Sequence, residues 1–174
     1  MLEDLIRSGQ KELQVIIFKL GSEEYAVPIN CVQEIIMPQK ATRIPKSPKY
    51  VEGVINLRGN IVPVIDGKKK FLLKEKSSNP LIDKRIMVLE VENETTGLIV
   101  DSVNEVINLN VSEIEPPPID LEENTEIFCG IGKYNNRLLI LINSEKFMTI
   151  HEEAKKIEAF SKVTDVIKKA RAAV

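Results

Sequence analysis

Few residues in this sequence are able to do bond-making chemistry, and their spacing is unfavourable for it. His151 is the one imidazole in the chain, and it falls at the start of a C-terminal helical pattern, so neither a Ser/His/Asp triad nor a multi-histidine metal site is available. Cys31 and Cys129 lie far apart, outside any C-x-x-C spacing. Each sits in an apolar run and reads as a reduced core residue of an intracellular protein. The adjacent acids Glu23-Glu24 and Glu122-Glu123 stand in polar loops, where carboxylates are ordinarily just solvated. No G-x-x-x-x-G-K-[ST] loop offers a phosphate cradle. The expectation is a protein that is not an enzyme and carries no cofactor and no metal. What remains is Arg58, an arginine at the centre of the otherwise apolar stretch GVINLRGNIVPVID, residues 53–66.

The elements around Arg58 explain part of its presence. Short β-rich runs recur at 14–20, 24–29, 51–57, 61–66, 85–91, 96–100, 127–134 and 137–143. Turn signals at Gly21-Ser22, Gly59-Asn60, Glu92 to Thr95 and Asn135-Asn136 separate them into antiparallel hairpins. Arg58 therefore sits at a hairpin tip and interrupts no core. Many short strands with tight turns favour small barrels or a sandwich. The strand edges near RLLILIN would be adhesive if bare, so a neighbouring strand or the C-terminal helix is expected to cover them.

The chain also matches itself. YAVPINCVQEII, 25–36, falls on TGLIVDSVNEVI, 96–107, at a shift of 71 residues, which places Val32 on Val103, Glu34 on Glu105 and Ile36 on Ile107. Further along the shift grows to 77, and GVINLRGNIVPVID falls on GIGKYNNRLLILIN, 130–143; the segment PPPIDLEENTE takes up the difference. Strand, turn and hairpin recur in the same order, which indicates internal duplication. Two barrel-like subdomains are expected, at 14–82 and 83–147. In each, an Asx residue (Asn30, Asp101) followed by apolar residues at spacings of three and four predicts a short capped helix. In the second copy the turn equivalent to Leu57-Arg58-Gly59-Asn60 is Tyr134-Asn135-Asn136-Arg137. The turn does not need an arginine at position 58, and from the residues alone Arg58 is a solvated turn residue.

Beyond residue 147 the pattern changes. Thr149 to Glu152 reads as a capping box, and Ile150, Ala154, Ile157, Phe160, Val163 and Ile167 form one apolar stripe. An amphipathic helix over 148–174 is expected, packed on the barrels, with partner or membrane-surface binding as the alternative. Lys68-Lys69-Lys70 with Lys74 and Lys76 forms a basic stretch expected to be a solvated loop.

Composition narrows the partners. The 174 residues carry 24 basic and 26 acidic side chains, a net charge of -2. Near balance mixed along the chain argues against a phosphate-binding surface and so against nucleic acid. The alternative of a nucleic-acid-binding barrel of OB type needs exposed aromatic platforms, but aromatics are 5% of the chain with no tryptophan. No apolar run approaches the roughly 18 residues that cross a bilayer, and the N-terminus lacks the basic start of a secretory signal. A complete cytoplasmic chain without direct membrane insertion is expected.

Four stretches carry a resemblance: EEYAVPINCVQEII (23–36), TRIPKSPKYVEGVINLRGNIVPVID (42–66), TGLIVDSVNEV (96–106) and RLLILINSEKF (137–147). They closely resemble the CheW-type coupling proteins of bacterial chemotaxis, and the likeness runs from about 14 to 147. The resemblance implies a mainly β fold of two SH3-like five-stranded β-barrel subdomains and a scaffold without catalysis. It further implies coupling of the cytoplasmic tips of methyl-accepting chemoreceptors to the regulatory domain of a CheA-type histidine kinase, in membrane-associated arrays. That kinase domain would share the fold, so the two proteins could alternate in rings. By position, Arg58 and Val103 match residues linked to receptor contact. Val32, Glu34, Ile35 and Gly53 match positions linked to kinase or receptor binding. If exposed, Val32 or Ile35 would be an apolar anchor; if buried, each is simply core, and Ile35 more so than Val32. The sequence departs from the family after Asp66, where Gly67-Lys68 replaces a common leucine-arginine pair, which puts the local strand length in question.

Overall fold

The computed structural model describes residues 2–71, 83–116 and 127–147. The C-terminal helix expected over 148–174 and lysines 74 and 76 lie outside them. A short helix, α1 (Leu2–Arg7), precedes β1 (Glu12–Leu20) and β2 (Glu23–Pro28). A 3-10 turn, Ile29–Cys31, leads into β3 (Val32–Ile36), β4 (Val51–Leu57) and β5 (Asn60–Asp66), followed by the one-turn helix α2 (Gly67–Lys70). The second half contributes β6 (Arg85–Val91), β7 (Glu94–Val100), β8 (Ser102–Asn110), β9 (Ile114–Glu115), β10 (Phe128–Tyr134) and β11 (Arg137–Ile142).

These strands form two sheets. One has six strands in the order β8, β1, β2, β11, β10, β9, and the other five in the order β3, β6, β7, β5, β4. Each sheet takes a hairpin from one half of the chain and its remaining strands from the other. The halves at 14–82 and 83–147 are thus units of the sequence repeat without being units of hydrogen bonding. The pairings themselves obey the repeat. Val32 opposes Leu89 and Ile35 opposes Met87 in the smaller sheet, as Val103 opposes Phe18 and Val106 opposes Ile16 in the larger. Likewise β5 runs parallel to β7 with Val64 on Gly97, and β11 runs parallel to β2 with Leu141 on Ala26. The edge of RLLILIN is covered, as expected, by a neighbouring strand.

The exchange explains why β1 and β6 are apolar on both faces. Leu13, Val15 and Ile17 of β1 face a core inside the larger sheet, whereas Ile16, Phe18 and Leu20 face a central layer between the sheets. In β6, Ile86 and Val88 face a core inside the smaller sheet, and Met87 and Leu89 join the same central layer. A strand buried on both sides loses the polar alternation of a half-exposed one. Four of the phenylalanines, Phe18, Phe71, Phe128 and Phe147, pack on Tyr25 or on one another, stacked or tilted, with ring centroids 5.1 to 6.4 Å apart. These rings serve the core, whereas an OB-type surface would present them to bases.

Three expectations need correction. First, the sheets curl around their own cores, but among the described strands neither closes into a hydrogen-bonded barrel, and they number six and five strands. Second, the short helices expected after Asn30 and Asp101 are strands β3 and β8. The ladders carry one extra residue at equivalent places, between Val32 and Glu34 and between Val103 and Glu105. A bulge resets the alternation of faces, so apolar residues on both faces acquire a spacing that imitates a helix. Asp101 caps nothing: its carboxylate accepts from Gly21 N at 2.8 Å and from Lys68 Nζ at 3.2 Å, fastening the β1–β2 turn and α2 to the start of β8. Third, the lysines at 68–70 form α2, and their side chains engage neighbouring residues. Besides Lys68 on Asp101, Lys69 pairs with Glu52 at 3.6 Å and Lys70 lies 3.8 Å over the Tyr50 ring. Their helix is capped by the Asp66 side chain, which accepts from Lys69 N at 3.1 Å and ends β5.

Candidate functional site

The turn after β4 has two residues, and Arg58 and Gly59 both adopt positive φ, 50° and 85°. Such a turn matches the right-handed twist of its strands, and asparagine or glycine fits it best. In the second copy Asn135 and Asn136 hold the same conformation at 47° and 60°. Arginine in this region is held against its backbone preference. The Asn56 side chain compensates in part by accepting from Gly59 N at 2.8 Å.

The Arg58 guanidinium spans the sheet. It donates to both oxygens of Glu34, from Nη1 to Oε2 at 3.1 Å and from Nη2 to Oε1. Glu34 lies on β3 and Arg58 at the end of β4, the two opposite edges of the five-stranded sheet. The ion pair therefore joins edges that no backbone ladder joins. Glu34 raises the proton affinity of the guanidinium and keeps it charged. Arg58 is itself exposed, so the rest of its fork is open to a partner.

The second half repeats the device with different residues. Arg137, at the start of β11, donates from Nε and Nη2 to Glu24 of β2, both at 2.9 Å, and from Nη1 to Glu105 of β8 at 2.7 Å. Glu105 is the repeat equivalent of Glu34. The arginines are not equivalent, since Arg137 aligns with Asn60, yet each hairpin end delivers a guanidinium to the matching glutamate. Sequence reasoning missed this clamp, although the aligned Glu34 and Glu105, with an arginine in each aligned turn, were its visible signal. Arg137 is more enclosed than Arg58, and its hydrogen bonds hold the Glu24 carboxyl below its ordinary range, against the opposing effect of burial.

The other expected residues separate by position. Ile35 is 41% exposed, contrary to its reading as core, and Met37 beside it is 63% exposed. The partner strand explains why. Ile35 opposes Met87, which faces the central layer, so Ile35 stands at the rim of that layer, where β3 is the edge strand and no further described strand pairs with it. Val106, its repeat equivalent on the other sheet's edge, is 48% exposed. Val32 and Val103 are half-buried against the central layer, forming the inner wall of each rim. Gly53 is buried, and a Cβ there would run into the Thr42 carbonyl. Its φ of 148° also belongs to glycine. Thr42 exchanges hydrogen bonds with Val54 at 2.8 and 2.9 Å, so Gly53 seats the 41–44 segment on β4 and has no surface to offer a partner.

Glu34, Ile35 and Val32 thus share the edge strand β3, Glu34 and its partner Arg58 on the side of the smaller sheet's own core and Ile35 and Val32 on the side of the central layer; Val103 lies on the equivalent edge strand of the other sheet, and Gly53 on β4 at the opposite edge. Among the described residues no group of three or more His, Cys, Asp or Glu could hold a metal ion. No described helix is long and apolar enough to cross a membrane.

The CheW-like domain profile matches residues 14–152. Chemotaxis protein CheW of Helicobacter pylori is 39% identical over 140 residues, which span 80% of this chain and 84% of that protein. Its Bacillus subtilis namesake is 37% identical over 140 residues, or 80% and 86% of the two chains. The crystal structure of the scaffolding protein TtCheW from Thermoanaerobacter tengcongensis superimposes with a TM-score of 0.69 at 38% identity, covering 76% of this chain and 89% of that one. Matched over most of its length in sequence and in fold, this chain belongs to the CheW family.

Proposed function

We propose that this chain is a non-catalytic chemotaxis scaffold that couples the cytoplasmic tips of chemoreceptors to the regulatory domain of a CheA-type histidine kinase, in arrays on the cytoplasmic face of the membrane. Membership in the CheW family supports the role. The observation that carries the mechanism is the pair of equivalent edges, each with an exposed apolar residue, Ile35 or Val106, beside an arginine–glutamate clamp. An adaptor has to hold two partners at once, and two related edges on one rigid body supply two docking places. A receptor helix lays an apolar stripe along such a rim, and Ile35 and Met37 are its anchors. Arg58, pinned by Glu34, offers its remaining donors to a helix C-terminal carbonyl or carboxylate.

The same reading treats 14–82 and 83–147 as two copies of one SH3-like five-stranded unit that have exchanged their first hairpins, together one CheW-like domain followed by the segment 148–174. Calorimetric titration with the isolated kinase regulatory domain and, separately, with a receptor-tip fragment tests the function. Saturable binding to both is the expected result. Absence of binding to either by the intact protein would refute coupling.

A further inference from the structure

On the outer face of the β4–β5 hairpin, at the end away from Arg58, the segment between β3 and β4 encloses an open groove of about 840 Å³. Its floor is apolar: Ile44 and Val51 line it, and Ile44 is itself buried in a small cluster with Val54. Its rim is cationic. Arg43, Lys46, Lys49 and Lys69 line it, and Glu52 is the one acid. Glu52 is engaged by Lys69, and no described residue pairs with Arg43, Lys46 or Lys49. Three cations with no partner among the described residues thus surround an apolar floor on a chain whose net charge is -2.

The groove is also preformed. The Thr42 and Val54 hydrogen bonds anchor one side. The Ser47 hydroxyl donates to Ile44 O at 2.8 Å, and Val51 N donates to Pro48 O at 3.0 Å. Pro45 and Pro48 limit the freedom of the segment, and Lys46 is held at a φ of 60°. Little conformational entropy is left to lose on binding.

We propose that this groove docks an acidic segment of a partner protein, with carboxylates on Arg43, Lys46 and Lys49 and a small apolar side chain on the Ile44 floor. Charge complementarity selects the acid, and the floor selects a peptide over a bare anion. The site lies across the seven-residue length of β4 from Arg58, roughly 20 Å away, so it is a surface additional to the two edges and stands or falls separately from them.

The test is fluorescence anisotropy of the full chain with a labelled glutamate-rich peptide carrying one central leucine, at low salt. Wild type and Arg58→Ala should bind it alike. The double variant Lys46→Glu/Lys49→Glu, whose unchanged melting temperature certifies its fold, should bind about tenfold more weakly. That variant should instead gain affinity for a peptide with lysine in place of glutamate. Removing the leucine should weaken binding to wild type. Failure of wild type to bind, or equal binding by the double variant, would overturn the proposal. Tighter binding of single-stranded DNA at the same lysines would also overturn it, in favour of a phosphate site.

Discussion

Arg58 and Glu34 are 24 residues apart in the chain and stand on opposite edges of one sheet, yet the guanidinium donates to both carboxylate oxygens. The pair is exposed on the arginine side, and exposed ion pairs contribute little to stability because solvent screens them and both side chains lose freedom. Arg58→Ala should therefore leave the melting temperature within about 2 °C of wild type while abolishing binding of the receptor-tip fragment in calorimetry. Arg58→Asn suits the turn better and should be at least as stable as Ala, with the same functional loss. A large fall in melting temperature for either variant would make the pair a structural pin.

Arg137 should behave differently. It is partly enclosed and satisfies two carboxylates, so Arg137→Gln leaves Glu24 and Glu105 facing each other without the guanidinium that joins them. A loss of about 1–2 kcal/mol in urea unfolding is expected, larger than for Arg58→Ala.

The same clamp makes a pH prediction. Arg137 lowers the folded-state pKa of Glu24 below the ordinary 4.5. A group depressed in the folded state contributes stability that is full above its unfolded pKa and is lost as pH falls through the folded value. Wild type should thus lose stability progressively below about pH 4.5, and Arg137→Gln should show a shallower decline there. Parallel slopes in the two proteins would show that another carboxylate carries the acid sensitivity.

Gly53→Ala should be severely destabilising, by about 2–4 kcal/mol. The new methyl meets the Thr42 backbone carbonyl, which cannot yield without breaking the bridge to Val54. Thermal denaturation checks this, and any loss of partner binding in this variant should track the unfolded fraction.

Ile35→Asp places a charge where the side chain already meets water, so the fold should tolerate it within about 0.5 kcal/mol, while binding along that rim should fail. Val32→Asp buries part of a charge against the central layer and should unfold the protein more readily. Denaturant titration of the two variants side by side separates an anchor from a wall.

The strands were legible to within a residue or two because their apolar runs and turn signals are local, as at 51–57 and 85–91. The edge strands β3 and β8 were not, because a bulge on each disguises the period of two, and neither was β9, whose two residues are too few to show a period. Arg58 and Glu34 were named separately, but their contact was invisible, since it depends on a sheet curling until its edges approach. Burial misled for Ile35, whose apolar type says nothing about whether a neighbour covers it.

What the sequence determined by itself was composition, repeat and turn chemistry: Asn135-Asn136 and Arg58-Gly59 must turn, Val32 and Val103 are repeat equivalents, and the chain resembles its family. Tertiary structure decided the rest. Only three-dimensional pairing shows that the first hairpin of each half belongs to the other half's sheet, and only there do Arg137, Glu24 and Glu105 meet. The physical reason is that strand ladders and ion pairs are non-local. Any apolar edge of matching twist can accept a strand, and the choice among edges rests on which arrangement buries both faces of β1 and β6 at once.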